Sequence, residues 1–491
     1  MKKHINKSIV LLAGALFLLV ACGKQLDVEP RQSISFESAL TSPDNIEAAI
    51  NSVYGGLRQQ TEYGRDKLAL SDALSDIGFA TGKSGRLQPE NRNTQGAHFA
   101  NWGSSYGLLN EINLILDAIP NITTDAASKD RWEGELKFLR ALLHHDLAKI
   151  YAYDTTAVIP SQYRGSIVLA LTPFKDAATA VNYKPARSSL KDVYDAIYSD
   201  LNTAIAKLGN TRGVYYGTNV AAHALFSRVA LHFADWSKVI TEATSAITNM
   251  GGVGASLSTP ANYVAGWRAT RNPESIFEVR FNIQNENLGV NVSLQTSYTT
   301  LSTLGNPALT GGFGDLVPNN FLLGQLGITT TGYPNIVRGP DVRALLYEWG
   351  SAGRGTRYIE TTKFFGKSGF PNLDNVPVLR TPELYLNRAE AYYRRAQAGD
   401  EALALADLNT ILTNRGLPSV ALTGAALLNE ILRQRMLEYA FEGMRWFDLK
   451  RTGQDVIKSP ANIVFNDTRI LANIPQRDID GNPNMQQNPG Y

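Results

Sequence analysis

Apolar residues recur at three- and four-residue spacing over most of the chain, the period that lays one stripe along a helix face. The first run follows Ser42-Pro43-Asp44, a capping residue with proline in the first turn. It aligns Ile46, Ala49, Ile50, Val53, Tyr54 and Leu57, and Gly55-Gly56 weakens its end. Trp102 to Ile119 repeats the pattern and stops at Pro120, and Lys129–Tyr153 follows with Leu136, Leu139, Leu143 and Leu147 on one stripe. These two predict a helical hairpin. Ser188–Leu208 and Asn219–Ala234 predict another, and Trp236–Met250 adds one more helix.

Asp76 to Asn101 is polar and glycine-bearing and reads as a long loop. From 251 to 375 Gly, Asn, Thr and Ser dominate, with short apolar patches such as Ser275-Ile276-Phe277-Glu278-Val279 that suit strands. Helical period returns over Thr381–Ala398, Glu401–Arg415, Gly424–Phe441 and Met444–Thr452, before an irregular tail. The expected class is therefore mainly α, with helical pairs over 42–250 and 376–491 around a loop-rich insert carrying a few short strands. Ala389 and Ala391 beside Tyr392 and Tyr393 hint at degenerate tetratricopeptide-type pairs, since a small residue lets a neighbouring helix approach closely. A strict 34-residue period is not visible.

Composition narrows the class without changing it. The 491 residues are 44% hydrophobic, 9% aromatic and 19% charged, which is globular and excludes disordered and collagen-like chains. The balance of 47 basic against 45 acidic residues provides no electrostatic footprint for nucleic acid. A single cysteine excludes an intrachain disulfide and a four-cysteine metal site.

That cysteine, Cys22, carries more information than any other residue near the N-terminus. Lys2, Lys3 and Lys7 precede an uncharged apolar run from Ile9 to Val20, the n-region and h-region of an export signal. Its 12 residues fall short of the roughly 20 that cross a bilayer as a helix. Leu19-Val20-Ala21-Cys22 resembles the bacterial lipobox, so residues 1–21 are expected to be a lipoprotein signal peptide and Cys22 the lipidated residue of the mature 22–491 body. Several acyl chains on one cysteine are enough for stable anchoring, and residues 22–41 read as a tether.

Motifs for catalysis are weak. His144, His145 and Asp146 diverge around a helix and lack a histidine at the fourth position, so they do not read as metal ligands. Gly252-Val253-Gly254 lacks the third glycine of a dinucleotide loop. Gly82-Lys83-Ser84 and Gly366-Lys367-Ser368 lack the leading glycine of a P-loop, since Ile77 and Thr361 stand there. A nucleophile elbow is absent. Glu438 and Glu442, one turn apart, are surrounded by Arg433, Arg435 and Arg445 and read as structural ion pairs. Arg388 and Glu390 are expected to pair across helices. Motif alone does not dismiss a glycosidase, whose two carboxylates can lie anywhere in sequence.

Several blocks together resemble the SusD/RagB family of outer-membrane nutrient-binding lipoproteins. They are the opening Cys22…Leu26-Asp27…Pro30, then Trp102…Tyr106…Asn110…Asn113, and Gly134-Glu135-Leu136-Lys137-Phe138-Leu139-Arg140-Ala141. Arg380-Thr381-Pro382-Glu383-Leu384-Tyr385-Leu386-Asn387-Arg388-Ala389-Glu390-Ala391 follows. After it come Arg433…Arg435…Glu438…Phe441-Glu442-Gly443…Arg445-Trp446-Phe447-Asp448-Leu449…Arg451 and the ending Gln487-Asn488-Pro489-Gly490-Tyr491.

The resemblance implies a tetratricopeptide-like helical scaffold with an irregular insert packed against it. It implies a lipid-anchored, surface-exposed outer-membrane protein that sits on a SusC-like TonB-dependent transporter. There it would capture oligosaccharides, or in the alternative peptides or another non-sugar nutrient, without catalysis; no cofactor and no catalytic metal are expected, and the sequence leaves calcium binding open. The family's sites lie where the loop after the first helix meets the central insert. Projected here, that points to Asp76, Phe79, Arg86 and Asn101 from the loop, and to Trp267, Tyr298, Tyr333 and Trp349 from the insert. Flat aromatic faces suit the apolar side of a sugar ring, and amides, acids and arginines suit its hydroxyls. Trp267 and Trp349 lead this set, because irregular polar neighbours offer little reason to bury a tryptophan. A hydrolase would need facing carboxylates in a cleft, and a pure helical adaptor would lack a pocket.

Overall fold

Ser42 caps helix α1 (Pro43–Gly56), its hydroxyl accepting a hydrogen bond from Asn45 N at 3.3 Å. The computed structural model describes residues 39–491 except 283 and 461. The export signal, Cys22 and residues 22–38 of the tether lie outside the described residues. Ile46, Ile50 and Val53 of α1 are fully buried. At Gly56 an added Cβ would fall 2.2 Å from Leu108, so the glycine that weakens the helix end is what seats it on α3 (Trp102–Ala118). Between them lies α2 (Asp66–Leu74), a helix the periodicity does not reveal. All nine of its residues are buried, and a helix enclosed on every side has no solvent face to segregate.

Asp125 starts α4 (Ala126–Tyr151), its Oδ1 accepting from Ser128 N at 2.8 Å, three residues before the predicted beginning. Helices α5 (Leu190–Lys207), α6 (Asn219–Phe233) and α7 (Trp236–Asn249) follow. After the insert come α8 (Thr381–Arg395), α9 (Asp400–Asn414), α10 (Gly424–Tyr439) and α11 (Arg445–Arg451). Each helix from α4 to α9 packs on the next, α10 closes on α8, and α8 lies directly on α7 although 131 residues separate them. The stack is thus continuous through the insert. Ala391 and Ala389 explain how α8 fits: Ala391 packs among Ala230, Leu231, Val239 and Ile240, and Ala389 among Ala404, Leu408 and Leu427. Both are fully buried, one on each side of the helix. Among the described residues no helix is long and apolar enough to cross a membrane.

The strands are β1 (Gly78–Ala80), β2 (Ser275–Val279), β3 (Leu316–Pro318), β4 (Ile328–Gly332), β5 (Asn335–Arg338), β6 (Tyr347–Trp349), β7 (Ile359–Thr361) and β8 (Val376–Arg380). They form four two-stranded antiparallel ladders, β1–β3, β2–β8, β4–β5 and β6–β7. β2 coincides with the predicted strand, and its pairing with β8 ties the two ends of the insert together. β1, with a short helix over Gln88–Asn91, replaces part of the predicted long loop. Its pairing of Phe79 with Val317 stitches that loop to the insert.

Buried ion pairs lock insert to scaffold. Arg380, at the end of β8, reaches Glu274, Glu438 and Glu442 at 2.9, 2.9 and 2.7 Å. Arg415 reaches Glu274 and Glu438 at 3.0 and 2.8 Å. Glu438 of α10 and Glu442 just beyond it are therefore structural, although with other partners than the local spacing implies: Arg435 pairs with Asp448 at 3.2 Å rather than with Glu438. Arg388 and Glu390 do pair across helices, with Asp407 and Arg451 at 2.8 and 2.7 Å.

Gly443, between α10 and α11, has φ +78 and presses on α2, where an added Cβ would lie 2.7 Å from Leu68 Cα and Lys67 O. Both contacts are backbone and cannot swing away. Gly443→Ala is expected to cost about 1–3 kcal/mol in overpacking beyond about 1–2 kcal/mol for left-handed backbone. A lowered midpoint of urea unfolding would register it, and an unchanged midpoint would show that α2 yields.

Candidate functional site

The β4–β5 ladder pairs Gly332 with Asn335, leaving Tyr333 and Pro334 at the tip of the hairpin. Tyr333 is 49% exposed there. Trp349, the last residue of β6, meets it edge-to-face with ring centroids 5.9 Å apart and planes at 85°. The indole is held in place by Nε1–H, which donates to Asn335 O at 3.2 Å. The two rings, with Ile336 and Leu345, line an open concavity of about 510 Å³ whose polar wall is Arg338 and Glu348. Glu348 accepts a hydrogen bond from Gly305 N at 2.7 Å. The Arg357 guanidinium lies on the other contact of Tyr333, 4.0 Å from the ring centroid.

The face continues onto the loop after α2. Tyr358, next to Arg357, packs its ring 5.7 Å from that of Phe79, which is 41% exposed. Arg86 lies 4.4 Å from the Phe313 ring and pairs with Asp315 at 2.9 Å. The structure thus brings together Tyr333 with Trp349, and joins Phe79 to them through the Arg357-Tyr358 step. Arg86 borders the same insert. Loop and insert meet here because β1 pairs with β3.

The remaining four candidates are structural, which corrects the expectation that they present themselves to a ligand. Trp267 is 2% exposed, on a short helix over Tyr263–Arg268, with Lys363 and Arg380 at 5.0 and 5.3 Å from its ring and Phe364 at its edge. Polar sequence neighbours did not keep it in solvent, because the neighbours that bury it come from the other end of the insert. Tyr298 is fully buried and donates to Asp72 Oδ2 at 3.0 Å. Burial pushes the Asp72 carboxyl up to about 8, against the pull of that hydrogen bond. Asp76 is gripped by Arg445 through two bonds of 2.7 and 2.6 Å, a bidentate pair that joins the loop to α11. Asn101, at the start of α3, donates to Ser105 Oγ at 3.0 Å and accepts from the Tyr151 hydroxyl at 3.3 Å.

Sequence reading missed Phe313, Arg354, Arg357 and Tyr358. The available signal was Arg354-Gly355-Thr356-Arg357-Tyr358, two arginines and an aromatic on a glycine turn. His144 and His145 are buried in α4, and burial pushes His144 down to about 3, so it stays neutral. Among the described residues no group of three or more His, Cys, Asp or Glu is placed to hold a metal ion.

Two family models match the chain, one described as the SusD family over residues 358–491 and one as starch-binding, associating with outer membrane, over residues 24–231. A SusD-like protein, P38, from Formosa agariphila is 24% identical across 100% of both chains. A SusD superfamily structure from Bacteroides thetaiotaomicron superposes with TM-score 0.78 at 24% identity, covering 91% of this chain and 100% of that one. A laminarin-binding SusD-like protein superposes with TM-score 0.68 at 21% identity, covering 92% and 100%. The structural likeness, at 24% identity or less, shows the same fold. The two family models match separate segments holding both helical parts of the chain, and the SusD-like relative spans it whole: the chain belongs to the SusD/RagB family.

Proposed function

We propose that this protein captures an oligosaccharide on the Tyr333–Trp349 face and delivers it to a SusC-like TonB-dependent transporter, anchored at the outer membrane through lipid on Cys22. The observation that carries the reading is the perpendicular pair of rings, Tyr333 exposed and Trp349 half-buried, flooring an open concavity. One ring presents a flat apolar face to a sugar while the other walls it in. The starch-binding description of one matched family and the laminarin-binding relative support the ligand class.

The test is calorimetric titration of the full chain in detergent with a panel of oligosaccharides and peptides. A saccharide response that Tyr333→Ala weakens about tenfold or more is expected, from loss of ring burial. A peptide response with silence across the saccharides would replace this reading with that of a non-sugar nutrient binder.

A further inference from the structure

The polar groups around the aromatic pair are not those a neutral sugar calls for. Arg338 lines the concavity, Arg357 lies on Tyr333, and Arg354 stands three residues before Arg357 in the same turn; none of the three has a carboxylate at ion-pair distance among the described residues. Arg338 donates through Nε to Ala344 O at 3.1 Å and through Nη2 to Tyr347 O. Arg354 lies over Phe313, 3.8 Å from the ring centroid, and donates through Nε to Gly312 O at 2.9 Å. Arg357 lies on Tyr333, and its Nη1 is shielded from solvent with no acceptor. Against these three cations stands Glu348, already engaged by Gly305 N. In the helical body the same chain gives Arg380, Arg415 and Arg451 two or more carboxylate partners each.

Arg354 and Arg357 share the connection between β6 and β7. Gly355 turns that connection with φ +88, and Gly350 lies so close to Glu360 that a Cβ there would fall 2.2 Å from the carboxylate. The turn is therefore shaped by backbone, and each guanidinium is held by a ring rather than by an acid. A guanidinium placed over a ring is held without an acid meeting its charge, and its planar fork suits carboxylate or sulfate oxygens taken two at a time.

We propose that the ligand of this face is an anionic glycan, its carboxylate or sulfate groups taken by Arg357 and Arg354 while Tyr333 and Trp349 hold a sugar ring. The inference rests on the oligosaccharide reading above and narrows it to a charge class.

Three ligands of matched length separate the cases: an oligouronate, a sulfated oligosaccharide and a neutral gluco-oligosaccharide, each titrated into the full chain in detergent. At least one acidic ligand is expected to bind about tenfold or more tighter than the neutral one. Which acidic ligand wins identifies carboxylate or sulfate as the group read. That affinity is expected to fall as ionic strength rises from about 0.05 to 0.5 M. Arg357→Gln and Arg354→Gln are expected to remove most of the acidic preference, lowering acidic binding much more than neutral binding. Arg357→Lys, which keeps the charge and loses the fork, is expected to fall between. Equal binding of neutral and acidic ligands, or acidic binding indifferent to salt and to both glutamine variants, would overturn the proposal and leave the saccharide reading standing. Silence toward all three would overturn both.

Discussion

Glu438→Gln is expected to lower the unfolding free energy by about 3–5 kcal/mol, the cost of stripping a buried charge from its partners. The carboxylate is fully buried and takes Arg415 Nε and Nη2 at 2.8 and 2.9 Å and Arg380 Nη1 at 2.9 Å, with Arg343 Nη1 at 3.5 Å. The amide keeps the shape, but it turns one acceptor into a donor aimed at guanidiniums. By contrast Arg433→Gln, which breaks a pair with Glu430 that is about one-third exposed on the arginine side, is expected to cost less than about 1 kcal/mol.

The pH dependence gives a second readout. Burial alone would raise the Glu438 carboxyl, but the surrounding Arg415, Arg380 and Arg343 outweigh it and hold it well below the usual carboxylate range. A carboxyl depressed by folding adds stability above its unfolded value, here 4.5, and that stability drains away as pH falls toward the folded value. Wild type and Glu438→Gln should therefore differ most near neutrality and converge below pH 4.5. Urea unfolding at several pH values checks this, and a constant gap across the acid range would remove the charge from the explanation.

Trp349→Ala and Trp267→Ala are expected to separate binding from folding. On the proposed reading, removing the Trp349 ring takes away a sugar-facing surface worth about 1.5–3 kcal/mol, or roughly 10–100-fold in affinity, and lowers the unfolding midpoint less than removing Trp267 does. Removing Trp267 empties a packed site under Lys363 and Arg380, at about 3–5 kcal/mol of stability. Thermal unfolding and calorimetric titration on both variants make the comparison. Undiminished saccharide affinity in Trp349→Ala would move the site off this face.

The two tryptophans show where sequence reasoning stops. Both stand in polar, irregular stretches of one insert, and local composition treats them alike. What distinguishes them is which distant segment returns over each: Phe364, Lys363 and Arg380 close over Trp267, while Trp349 sits beside a hairpin tip that carries Tyr333 outward. Asp76 and Asn101 were drawn into the candidate set by residue type, yet Arg445, 369 positions along from Asp76, claims one, and Ser105 and Tyr151 claim the other. Helix α2 escaped because burial on all sides erases the period that would reveal it.

The sequence by itself determined the helical character of the chain, strand β2, the structural role of Glu438 and Glu442 and the family. Those features are written in short-range regularities: apolar period, caps, small residues at contacts and contiguous motif blocks. Tertiary structure alone decided which aromatics face solvent, which arginines lack an acid, and that the loop after α2 reaches the insert through β1 and β3. Each of these depends on contacts between residues far apart in sequence, and pairings at that range leave no periodic trace along the chain.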